Sequence, residues 1–209
     1  MDARSTDIRG RAMCYRCFKV AAACVCGDIL QVANRTGVIV LQHPRERHHP
    51  FGTARFARLG LERVELRECS PKHPASMARA SALPPDTAFV YPSPDARDVE
   101  DIPPSERPAH IVVVDGTWHH AHSILHAAPW LRALPCVRIT PRHPSEYRVR
   151  REPRGECLST IEAIVATLRA LEPDTQGLDG LLDAFRAMID RQVAASPCLP
   201  LPRPTPREA

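Results

Sequence analysis

The tightest restriction on the fold comes from two short runs that are apolar or β-branched at nearly every position: Thr36 to Gln42, TGVIVLQ, and His110 to Val114, HIVVV. A strand with one wet face alternates apolar and polar residues, whereas a strand apolar throughout is covered on both faces, as in a parallel sheet between helices. Both runs stop abruptly in polar residues, the first at His43-Pro44 and the second at Asp115-Gly116-Thr117-Trp118. Around them strand-like and helix-like segments alternate. Arg63 to Arg67, Ala88 to Tyr91 and Cys136 to Thr140 read as strands. Thr53 to Leu61, His119 to His126, Ser159 to Leu171 and Leu178 to Ala194 read as helices, and Ser159 with Glu162 three positions later fits a capping box. A Pro-rich crossing precedes Ala88, and Pro141 to Gly155 is a long basic loop. Such alternation gives a mainly parallel α/β sheet that binds ligands at the carboxyl ends of its strands. Two loops, Gln42 to Arg47 and Asp115 to Trp118, then flank the site.

With 209 residues and 44% hydrophobic side chains, the chain can bury one substantial core and carry a small satellite. The expected division is a cysteine module at 12–30, a main domain at 31–195 and a Pro-rich disordered tail at 196–209. A formal charge of +4 permits a polyanionic partner without requiring one, since arginine clusters are also ordinary solvated faces. The densest cluster is Arg148, Arg150, Arg151 and Arg154. The polar N-terminus lacks a signal-peptide pattern, and no apolar stretch would span a bilayer. A cytoplasmic setting is expected, with the eight cysteines reduced.

Cys14, Cys17, Cys24 and Cys26 form C-x2-C-x6-C-x-C, and four thiolates in one loop-rich segment are what a tetrahedral structural zinc needs. The competing reading, small hydrophobes or a redox pair, suits poorly a segment too short for a core of its own. Arg16 and Lys19 would project from the knuckle toward phosphates. Cys69, Cys136, Cys157 and Cys198 are scattered and read as core or surface. Asp115 either caps the helix beginning near Thr117 or stands at the crevice as proton acceptor or orienting group. His119, His122 and His126 share one helical face, with His120 beside them. A second metal site there competes with partly exposed side chains near RNA, and the helix offers no acidic residue to complete a ligand set.

In order along the chain, the cysteine module, LQHPRE (Leu41 to Glu46), GTAR (Gly52 to Arg55), DGTW (Asp115 to Trp118), SEYRVRREP (Ser145 to Pro153) and LSTIEA (Leu158 to Ala163) resemble the DTW-domain proteins, the tRNA-uridine aminocarboxypropyltransferases. The resemblance runs from Cys14 to about Leu171. It implies a SPOUT-like α/β domain, mainly parallel and knotted near the cofactor site, with a four-cysteine zinc module. It also implies S-adenosylmethionine as donor, tRNA as acceptor, and 3-(3-amino-3-carboxypropyl)uridine and methylthioadenosine as products. The Gly at 116 is tolerated by the family motif; the extra histidines after Trp118 are particular to this chain.

On this reading Asp115 is the base or the group that positions uridine N3. Gln42, His43, Pro44, Thr117, Trp118, Ser145, Ser159, Thr160 and Glu162 border the donor, while Arg45, Arg55, Tyr147, Arg148 and Arg151 meet the RNA. Trp118 either faces a base or the sulfonium or pins the turn by packing. Ser159, Thr160 and Glu162 start a helix whose N–H groups face a ligand, and Glu162 also serves the capping box. A monomer without a membrane or an obligate protein partner is expected. Two rival readings are an S-adenosylmethionine-dependent RNA methyltransferase on a similar fold and a noncatalytic zinc-bearing RNA-binding protein.

Overall fold

The computed structural model describes residues 4–6, 12–141, 143–147 and 157–195. Arg148, Arg151 and the tail from 196 lie outside the described residues. In chain order the elements are β1 (Arg4–Thr6), β2 (Ala12–Cys14), β3 (Lys19–Val20), β4 (Gly37–Gln42), α1 (Ala54–Gly60), β5 (Val64–Glu68), α2 (Pro74–Ser81), β6 (Thr87–Val90), β7 (Arg97–Asp98), β8 (His110–Asp115), α3 (Trp118–Ala127), β9 (Cys136–Arg138), α4 (Thr160–Leu171) and α5 (Leu178–Ala195). Strands β1 to β3 form a small antiparallel sheet around the cysteines. The other six form one sheet in the order β5-β4-β8-β6-β9-β7, with every pairing parallel.

The doubly apolar runs become the central strands because both faces are covered. Val38 and Val40 of β4, with Ile111 and Val113 of β8, pack against residues of α1, α4 and α5. Ile39, Leu41 and Val112 face the other way, toward Ala80 of α2 and Ile124 and Leu125 of α3. Each fully buried aliphatic side chain contributes about 1.5–3 kcal/mol of transfer free energy, so both sets of alternating positions hold the strands in register. In the main body two of the elements named above, α2 and β7, are absent from the sequence reading, as are β1 to β3 of the small sheet. The Pro-rich crossing contains α2, because Pro74 stands in its first turn, where a missing N–H costs nothing. The two-residue strand β7 is too short to show a period.

The connections define where a ligand can sit. Helix α1 carries the chain from β4 outward to β5, while α3 carries it from β8 in the opposite direction to β9. The neighbours β4 and β8 are therefore the topological switch point, and loops diverging on either side leave a crevice beyond their carboxyl ends. Register pairs Gln42 with Asp115 at that edge.

The cysteine segment is fastened to this body. Cys17 and Val25 are buried in the same core cluster as α1, α4 and α5, and Arg191 of α5 donates to Cys24 O at 2.6 Å and pairs with Asp28 at 2.8 Å. No helix among the described residues is long and apolar enough to cross a membrane.

Candidate active site

Asp115 ends β8 and is only 5% exposed, yet it lines the recess at the switch point with Gly116, Thr117, Trp118, Tyr147 and Thr160. Its carboxylate is held from two elements. Gln42 Nε2 donates to Oδ2 at 2.8 Å and Thr160 Oγ1 donates to Oδ1 at 2.6 Å. The Asp115 carbonyl accepts the His43 N–H at 2.9 Å, which ties the β4 loop to the same residue. Asp115 is not the cap of α3: Thr117 is, its hydroxyl accepting the His120 N–H at 3.1 Å. The carboxylate is thereby left to the site rather than to the helix end.

Gly116 is required by close approach, since a Cβ there would lie 2.8 Å from the His120 Cβ. The contact brings α3 against the β4 loop and assembles a group that sequence reasoning missed. The His43 and His120 rings stack at 3.9 Å and 7°, and His120 Nδ1 lies 3.2 Å from Oε1 of Glu46, which is buried. Burial, then the neighbouring His120, presses the proton off His43 and lowers its pKa below the usual imidazole value. The only sequence signals were the acidic end of LQHPRE and the second histidine after Trp118. His119 meets His120 edge-on at 6.1 Å. Among the described residues, the four cysteines are the one group of possible metal ligands.

The capping box at the start of α4 is present, and Glu162 does more than cap. Its carboxylate accepts the Ser159 N–H at 2.8 Å, the Ser145 hydroxyl at 2.7 Å and the Glu146 N–H at 2.8 Å, pinning 145–147 to the helix. Tyr147 and Arg55, both expected at the RNA, are turned inward. The Tyr147 hydroxyl donates to Phe51 O at 2.6 Å and its ring packs on Phe185. Arg55 is 6% exposed and donates to Cys17 O at 2.7 Å, Arg47 O at 3.0 Å and His49 O at 3.4 Å, with its guanidinium over the Phe18 ring. Both side chains hold the 47–52 segment in place. Arg45 is exposed and Pro44 starts the turn after β4.

Two clefts adjoin the residues that hold Asp115, one lined by Thr160 and the other by Gln42. One is largely apolar, lined by Tyr91, Val114, Trp118, Ile139, Cys157 and Leu158, and it shares Gly116, Trp118, Leu158 and Thr160 with the recess around Asp115. The other lies on the β5 side of Gln42 and His43 and is lined by Arg47, His48, Arg55, Arg58 and Arg67.

The cysteines test well as a metal site. All seven cysteines among the described residues are free of disulfides. The Cys14 and Cys26 sulfurs are 3.7 Å apart, as are those of Cys17 and Cys24, and all four lie within 4.8 Å of one another. A tetrahedral centre with Zn–S bonds of about 2.3 Å needs sulfurs about 3.8 Å apart. Four thiolates around Zn²⁺ leave two negative charges, and two buried cations sit in their field, Arg55 and Lys19. Lys19 Nζ donates to Pro50 O at 2.5 Å.

A family model for the DTW domain matches residues 11–193. The chain belongs to the DTW-domain family. Among similar proteins, tRNA-uridine aminocarboxypropyltransferase 2 of Drosophila melanogaster is 32% identical, over 78% of this chain and 67% of its own length. tRNA-uridine aminocarboxypropyltransferase A of Arabidopsis thaliana is 27% identical, over 86% and 80% respectively. The Macaca fascicularis tRNA-uridine aminocarboxypropyltransferase 2 is 25% identical, over 88% of this chain and 64% of its own. No solved structure matches. The matched range includes DGTW, the turn holding Asp115, Gly116, Thr117 and Trp118.

Proposed function

We propose that this DTW-domain protein transfers the 3-amino-3-carboxypropyl group of S-adenosylmethionine to N3 of a tRNA uridine, releasing methylthioadenosine. The observation that carries the reading is a carboxylate held from two sides, by Thr160, which lines an apolar cleft, and by Gln42, which lines a basic one, in a family whose named relatives have this activity. The apolar cleft with Trp118 suits the adenosine and sulfonium of the donor, and the basic side suits a polyanion.

In the reaction a bond forms from N3 to the γ-carbon of the donor's methionine part as the bond from that carbon to sulfur breaks, and the bonding pair returns to sulfur as a neutral thioether. The leaving group needs little help. The enzyme must align N3 with the carbon–sulfur axis and take up the N3 proton. Asp115 serves as the acceptor for that N–H, its carboxylate plane fixed by Gln42 and Thr160. Gln42, His43, Pro44, Thr117, Trp118, Ser145, Ser159, Thr160 and Glu162 frame the donor side, with Thr117 and Glu162 acting by holding the turn and the start of α4. Arg45, with Arg148 and Arg151 beyond the described residues, contacts RNA. The stable role of the cysteine segment at 12–30 is to hold one structural zinc, with 31–195 as the catalytic body.

The parallel sheet, with β8 between β4 and β6 and the start of α4 beside the ends of β4 and β8, suits a SPOUT-like domain, in which the knot is what the family resemblance implies. The test of function is to incubate protein and bulk tRNA with donor labelled separately in the methyl and the carboxyl carbon. Carboxyl label in RNA without methyl label is expected. Methyl label alone would make the protein a methyltransferase, and neither label would leave a binding role.

A further inference from the structure

The basic cleft is a cavity of about 360 Å³ on the far side of Gln42 from Trp118. Its cations are not equivalent. Arg67 is occupied: its fork meets the Glu65 carboxylate at 2.7 Å through both Nε and Nη2, and Nη1 donates to Ala82 O at 2.8 Å. Arg55 is committed to backbone carbonyls, as above. Arg47, by contrast, has a side chain 64% exposed and only a long 3.7 Å pair with Glu68. Arg58 is exposed on α1 and donates to Arg16 O at 2.9 Å through one nitrogen. His48 is exposed and braced edge-on by the Phe18 ring at 4.9 Å.

We propose that this cleft is a phosphate subsite for the RNA strand beside the target uridine, with Arg47, Arg58 and His48 as its contacts. The inference rests on the reading of RNA as acceptor. Two outward guanidiniums and the His48 imidazole on one wall, over the inward Arg55, offer more donors than a single donor carboxylate needs. They match a backbone that carries a charge at every nucleotide. Position agrees, because the cleft is lined by Gln42, which holds Asp115. A strand lying here would pass the catalytic carboxylate. Tyr15, 50% exposed on the knuckle next to the Arg16 that Arg58 holds, offers an aromatic face for an unstacked base.

The test uses the full chain and fluorescein-labelled tRNA, with anisotropy titrations without donor over a range of salt. Arg47→Gln and Arg58→Gln remove charge, and glutamine at 58 keeps a donor for Arg16 O. Arg132→Gln, on the other face of the sheet, controls for net charge. Each cleft variant is expected to lower the salt slope by about 1 and weaken all tRNA sequences alike. The double variant is expected to lose on the order of tenfold in affinity, with the affinity for labelled S-adenosylmethionine unchanged. Unchanged slopes in folded variants, or an equal loss in Arg132→Gln, would overturn the subsite. Loss of donor binding instead would assign the cleft to the donor carboxylate and overturn it too. A wild-type protein that binds tRNA but transfers no label would defeat the proposed activity while leaving this binding test intact.

Discussion

Gln42 and Asp115 are the last register pair of the two central strands, and they are joined by a side-chain hydrogen bond of 2.8 Å, from Nε2 to Oδ2. Parallel strands set their final residues side by side. The sheet therefore positions the carboxylate with strand precision rather than loop precision, and Thr160, from a helix on the α1 and α5 side, fixes the remaining oxygen.

Asp115→Asn is expected to lower aminocarboxypropyl transfer by at least about a hundredfold, with donor binding changed little. Gln42→Ala and Thr160→Val act through Asp115, so each is expected to cost up to about a hundredfold through misalignment. The double variant should cost less than the product of the two, because both remove one restraint on one group. Single-turnover rates and donor affinities check this. Near-normal turnover in Asp115→Asn would remove it from the chemistry.

Glu162 is predicted to matter for stability before catalysis. Its carboxylate serves the α4 start and the 145–147 segment together, so Glu162→Ala is expected to cost about 1–3 kcal/mol. Ser145→Ala, which removes one of the three donors, should cost less. Urea unfolding measures both, and equal losses would mean that the segment is held by other contacts.

The central strands were legible in the sequence because burial on both faces leaves an uninterrupted apolar run, and Asp115 because it ends one. The capping box was legible because its two residues are three apart. What could not be read was any relation across the fold. Gln42 with Thr160, and Glu46 with His120, are far apart in sequence and meet only when β4, β8, α3 and α4 pack. The inward turn of Arg55 was equally hidden, since an arginine in GTAR carries the same charge whether it faces RNA or three backbone carbonyls.

The His43–His120 stack predicts a loss of stability in acid. The pKa of His43 is lowered in the folded chain, first by burial and then by His120, with Arg45 and His119 adding to this and Glu46 opposing it. The unfolded chain therefore takes up this proton more readily. Stability from a neutral His43 is fully present above the ordinary imidazole range, near about pH 6.5, and is lost as pH falls from there toward the lowered value. Denaturation midpoints of wild type and His43→Gln should converge between about pH 7.5 and pH 5.5. Parallel curves would show that other groups dominate.

Metal removal is expected to disturb the 47–52 segment as well as the knuckle. Without a tetrathiolate centre, the buried charges of Arg55 and Lys19 lose their compensation, and an unpaired buried charge typically costs about 3–5 kcal/mol. For a chain of this size the melting temperature should fall on the order of 10 °C on chelation. Amide exchange should rise at 47–52, whose carbonyls Arg55 and Lys19 hold. Metal analysis should find one zinc per chain, and Arg55→Met should bind it more weakly. Exchange confined to 12–30 would show that the knuckle and the loop are independent.

Trp118 is expected to report on the donor. It is 39% exposed although it opens α3, and it lines both the apolar cleft and the recess around Asp115. A ring serving only to pack the turn would be covered. Facing a sulfonium, an indole contributes about 0.5–2 kcal/mol, so Trp118→Ala should weaken S-adenosylmethionine binding by about 2- to 30-fold. Trp118→Phe should keep part of that, because a smaller ring retains a weaker cation–π face. The discriminating ligand is methylthioadenosine, which lacks the positive charge: its affinity should fall less than that of the donor in Trp118→Ala. Equal losses for both would assign the ring to apolar contact with the adenosine alone, and no loss for either would return it to the turn.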